Sequence, residues 1–120
     1  MKHLVALIAF IASSCAAAST PQLPIHSGQY TFLHKFAEQR NMPGTPVVVR
    51  IHGHHIVVIN TMKADGFPLG VIAEGTLMWH AKREVWIIGD NDSDRYAEDV
   101  GGCSEGPEEV DLRHKIYWTC

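Results

Sequence analysis

From Tyr30 onward, apolar and polar residues alternate with a period of two, the spacing that turns one face of a strand toward a core. Tyr30, Phe32, His34 and Phe36 alternate with Thr31, Leu33 and Lys35, and Pro43-Gly44 then marks a turn. Two β-branched runs, 47–51 and 56–60, are joined through His52-Gly53-His54-His55. They predict a hairpin, because Gly53 can take the positive φ of a tight turn, whether the turn is His52-Gly53 or Gly53-His54. In either register Val47, Val49, Ile51, Ile56 and Val58 share one side. Val48, Arg50, His52, His55, Val57 and Ile59 share the other.

After a loop over 61–70, a second hairpin is predicted from 71–80 and 85–89, turning through Ala81-Lys82-Arg83-Glu84. Leu77, Trp79, Trp86 and Ile88 form its strongly apolar side. A short helical turn is expected over 94–99, ended by Gly101-Gly102, and a last strand over 115–120. The reading is an all-β domain of about six short strands. It forms either a small antiparallel meander closed into a barrel, which leaves no free edge, or a two-sheet sandwich.

The opening of the chain breaks this pattern. Met1-Lys2-His3 precedes an apolar run over 4–18, 15 residues or about 22 Å as a helix, short of the ~30 Å of a bilayer core. With Ala16-Ala17-Ala18 at its end, the run reads as a cleavable secretory signal over 1–18. A flexible leader over 19–29 and a single domain over 30–120 follow, with no transmembrane segment after cleavage. Ala12-Ser13-Ser14-Cys15 offers an alternative: it is a loose version of the box before lipidated cysteines, which would leave a lipid anchor at Cys15.

Removal of the signal leaves two cysteines, Cys103 and Cys120, expected to pair as a disulfide in an oxidising periplasmic or extracellular compartment. The whole chain has 120 residues, 10 Lys plus Arg and 13 Asp plus Glu, a formal net charge of −3. That balance argues against a nucleic-acid partner held by phosphate attraction.

Three features offer chemistry. His52 and His55 project from one face of the first hairpin and His80 from the corresponding face of the second, a candidate Zn²⁺ or Cu²⁺ site. His34, between Phe32 and Phe36, is a candidate for a polar group in a barrel cavity that orients a small ligand. Arg50, Val57, Ile59, Glu74, Met78 and Ile87 combine apolar and polar character on the second faces of the hairpins, a candidate interaction surface.

Two further motifs fail on inspection. Asp90, Asp92 and Asp94 have the spacing of a calcium loop, but Arg95 and Gly101 stand where an EF-hand needs Gly and Glu. Gly102-Cys103-Ser104-Glu105-Gly106 matches the G-x-S-x-G elbow, but Pro107 follows and the chain is too short for the doubly wound sheet that motif requires. From Asp90 to Asp111 nine carboxylates face Arg95 alone, an acidic segment suited to solubility or to a basic partner.

The leading expectation is a non-enzymatic exported module that binds a protein or small ligand and needs no cofactor. Inhibitors and immunity proteins share its size and class. A periplasmic Zn- or Cu-binding protein is the alternative, and a small hydrolase a third.

Overall fold

A computed structural model describes residues 5–9, 20–63 and 67–120. Most of the expected signal, Cys15 included, lies outside the described residues, and among the described residues no helix is long and apolar enough to cross a membrane. Seven strands form a closed barrel: β1 (Gly28–Phe36), β2 (Thr45–His52), β3 (His55–Asn60), β4 (Gly70–His80), β5 (Val85–Gly89), β6 (Glu108–Asp111) and β7 (Ile116–Thr119). The barrel resolves the choice between barrel and sandwich. Each consecutive pair is antiparallel. With an odd number of alternating strands, the first and last run the same way. Closure therefore comes from a parallel β1–β7 pair, Leu33 opposite Ile116 through Phe36 opposite Thr119.

The first hairpin turns through Gly53 and His54, with His52 opposite His55. Gly53 has φ 60° and His54 a negative φ, the signs of a type II′ turn, whose twist matches that of its strands. Phe32, Val47, Val49, Ile51, Ile56, Val58, Leu77, Trp86, Ile88, Val110, Leu112 and Tyr117 fill the interior. The inward faces expected for both hairpins are the observed ones.

The barrel has two unlike ends. At the upper end, where β1, β3, β5 and β7 finish, Asn60 donates to the Pro68 carbonyl at 3.1 Å and accepts from the Met62 N–H at 3.3 Å. These bonds fold the β3–β4 connection over the opening and set Phe67 against His34 and Phe36. At the lower end lie the β2–β3, β4–β5 and β6–β7 turns and residues 20–27. In this segment, expected as a flexible leader, Leu23 and Ile25 pack on the core, Ser27 Oγ accepts from Gly53 N–H, and Tyr30 Oη donates to the His26 carbonyl.

The helical turn is a 3-10 turn at Asp92–Tyr96, which packs on the outer face of β4 and β5. The chain after it descends to the lower turn, where Asp99 binds Arg83 at 2.7 Å, and returns to the upper end. Cys103 and Cys120 are joined, pinning the returning loop to the end of β7. A disulfide of this kind belongs to an oxidising compartment.

Candidate functional site: the lower mouth of the barrel

The lower mouth carries a cleft of about 350 Å³. Its floor is Trp79 and Trp86, directly opposite one another on β4 and β5, with rings edge to face at 5.5 Å between centroids. The inward period of the second hairpin places them there: Trp86 is part of the core, and Trp79, nearer the strand end, stays partly open to the cleft. The walls are Pro21 and Pro24 on one side, the β4–β5 turn at Glu84 on another, and β6 with its turn on the third.

Three carboxylates line this cleft, Glu84, Glu109 and Asp111, against Arg113 and His114. Glu84 sits at φ 54° in its turn and is exposed. Asp111 shapes the β6–β7 turn: one carboxylate oxygen accepts from the His114 N–H at 2.9 Å and the other meets His114 Nδ1 at 2.8 Å. Burial holds the Glu109 carboxyl above its usual range, against the lowering pull of Arg40 and with the help of Asp111. Two indoles under carboxylates can take a cation and its aliphatic stem. The ring faces attract positive charge. Of the three acids, the exposed Glu84 is the one whose carboxylate is free at the opening among the described residues, since Asp111 is engaged by His114 and Glu109 lies beside Gly101 on the outer face of β6.

The site residues expected from sequence fall elsewhere. His34 is buried inside the upper end, its ring against Phe36, Phe67 and Tyr117 at 4.6–5.1 Å and its Nε2 2.8 Å from Thr119 Oγ1. Burial lowers its pKa. Other rings fill the space around it, so His34 is a packed core group rather than the wall of a ligand cavity.

His80 does not join His52 and His55. It is fully buried under the acidic loop, with Nε2 2.6 Å from the Ala97 carbonyl and Nδ1 accepting from the Arg83 N–H. Both nitrogens are thereby committed to the fold. Met78 and Ile87 leave the expected interaction surface for the same reason, since the 3-10 turn covers them. Arg50, Val57, Ile59 and Glu74 remain on the outer face of β2–β4, where Arg50 reaches Gln29 and Glu74 reaches His55.

The calcium spacing is also spent: Asp94 turns its carboxylate onto the N–H groups of Asp90 and Asn91, at 2.8 and 3.1 Å. Ser104 Oγ donates to the Gly101 carbonyl within its own turn. Glu38 approaches Cys103 and Cys120, but disulfide sulfurs offer no thiolate to a metal.

Sequence reasoning missed the mouth because Trp79 and Trp86 read as core and Asp111 as part of a solvated loop. The available signal was an aromatic pair at the very end of an inward-facing hairpin, followed in the chain by an acidic strand. No family model, no characterised protein and no solved structure matches this chain.

Proposed function

We propose that this protein is a non-enzymatic exported binding module that holds a basic segment of a protein partner across the lower mouth. The observation that carries the reading is the Trp79–Trp86 pair at a mouth bordered by the exposed Glu84 and by the acidic strand Glu108–Asp111. A lysine or arginine side chain laid in the cleft would place its stem on the indoles and its charge among the acids. Such an aromatic contact is worth about 0.5–2 kcal/mol.

The acidic loop runs along the same flank, with Asp90 and Glu105 exposed toward the upper end and Glu98 exposed between them. Its field would draw a basic partner to this flank of the barrel. Export fits the disulfide and the apolar N-terminal run, with a lipid anchor at Cys15 as the variant form of the same placement. Inhibitors and immunity proteins act in this way, by occupying a partner without turnover.

Calorimetric titration of the disulfide-intact protein with lysine-rich, neutral and acidic peptides of equal length tests the proposal. Saturable binding of the basic peptide alone is expected, weakened by salt and reduced about threefold or more in Glu84→Gln and about tenfold in Trp79→Ala. Equal binding of the three peptides, or unchanged affinity in a folded Trp79→Ala protein, would overturn it.

A further inference from the structure

The outer face of the first hairpin holds a second constellation, separate from the mouth cleft. His52 and His55 are directly opposite one another on β2 and β3, one residue either side of the turn. Glu74 on β4 reaches His55 from the third strand, with Oε1 3.0 Å from His55 Nε2. Both side chains of that contact are about half exposed, at 50% and 53%. An exposed ion pair of this kind adds little to stability, so packing gives no reason for its geometry.

We infer that His52, His55 and Glu74 form a surface site for a divalent transition-metal ion, with Cu²⁺ preferred over Zn²⁺. Opposed residues in an antiparallel pair have Cβ atoms ~4.5–5.5 Å apart on one face, a span two imidazoles can close around one ion. Ligand atoms ~2.0–2.1 Å from a tetrahedral metal stand about 3.3 Å from each other. The 3.0 Å between His55 Nε2 and Glu74 Oε1 is close to that edge, and the ion takes the place of the proton between them, which the imidazole gives up to solvent or to its other nitrogen.

His52 is exposed and turns onto the ion by side-chain rotation, a fast motion at a surface position. Two nitrogens and a carboxylate oxygen suit Cu²⁺ and Zn²⁺, and the Irving–Williams order places Cu²⁺ first. The hairpin register sets His52 opposite His55 and the β3–β4 register sets Glu74 beside His55, so only the His52 side chain has to turn for three ligands to meet one ion. Water fills the fourth position.

The test is titration of the untagged, disulfide-intact protein with CuCl₂ and with ZnCl₂, followed by calorimetry and, for copper, by electron paramagnetic resonance. Binding of one equivalent tighter than millimolar is expected, with Cu²⁺ tighter than Zn²⁺ and two nitrogen couplings in the copper spectrum. His52→Ala and His55→Ala should each weaken copper at least tenfold, Glu74→Ala at least threefold, and the exposed His26→Ala not at all. Binding only at millimolar metal, or an unchanged affinity in any of the three ligand variants, overturns the site. These substitutions lie on the outer surface, so circular dichroism separates loss of ligand from loss of fold.

Discussion

Tyr117 and Glu108 meet inside the upper barrel, the phenol donating to the carboxylate Oε2 at 2.5 Å across the β6–β7 pair. Burial pushes the Glu108 carboxyl up, and the Tyr117 bond partly offsets this. The same burial and the same carboxylate push the phenol up as well. Tyr117→Phe leaves a buried carboxylate without its donor, and a lost bond to a charged group costs about 1.5–3 kcal/mol. That cost should be larger at pH 7 than near pH 4, where the carboxyl is neutral. Urea unfolding at the two pH values measures both numbers, and an equal loss at each would show that the bond is not charge-assisted.

At this end the half-buried Glu108 and the buried His34 act in opposite directions. Glu108 has a folded pKa above its ordinary 4.5, so it binds more protons folded than unfolded. Its contribution is complete below 4.5 and is lost as pH rises through the folded value. His34 has a folded pKa below its ordinary 6.5, so its contribution is complete above 6.5 and is lost as pH falls through the folded value. On acidification from pH 7, wild type should therefore gain stability relative to Glu108→Gln and lose stability relative to His34→Gln. Unfolding free energies across this range read the two slopes separately, and slopes of the same sign would contradict the assignment.

Most of this barrel was legible because its strands obey a strict period. The inward sets Val47, Val49, Ile51, Ile56, Val58 and Leu77, Trp79, Trp86, Ile88 follow from alternation alone, and Gly53 marks the hairpin. Strand β6 was not legible. Glu108–Asp111 has one apolar residue in four, and its acids read as a continuation of the loop. It is a strand because Val110 and Leu112 point into the core and the flanking strands supply its hydrogen bonds. Missing it gave six strands, which hid the parallel closure. The fates of His80, Met78 and Ile87 depended on where a loop distant in sequence would lie, and no local pattern encodes that.

The Cys103–Cys120 bond closes a loop with a sequence separation of 17, worth about 3 kcal/mol in the chain-entropy model. For a domain near 100 residues this predicts a fall in Tm of roughly 12–24 °C in Cys103→Ser/Cys120→Ser. Because β6 and β7 keep their own pairing, amide exchange should accelerate first in 101–106 and only later in the strands. Calorimetry and exchange on the oxidised and serine forms decide this. A Tm unchanged within a few degrees would mean the loop is held by its other contacts.

Those other contacts centre on Gly106. A Cβ there would fall 1.8 Å from the Asp99 carbonyl oxygen and 2.8 Å from its carbon, so no side chain fits while the descending and returning arms of the loop remain in place. Gly106→Ala must push the 99–100 segment away, and with it the Arg83–Asp99 pair, which loosens the preceding stretch whose Ala97 and 3-10 turn cover His80, Met78 and Ile87. Overpacking typically costs about 1–3 kcal/mol, and here it also bares apolar surface. Gly53→Ala is the informative comparison: its Cβ meets nothing, and only the strain of φ 60° remains. Both variants should lose stability, but only Gly106→Ala should bind a hydrophobic dye in the folded state. If Gly106→Ala stays dye-free and as stable as wild type, the acidic loop does not seal the outer face of β4 and β5 in solution.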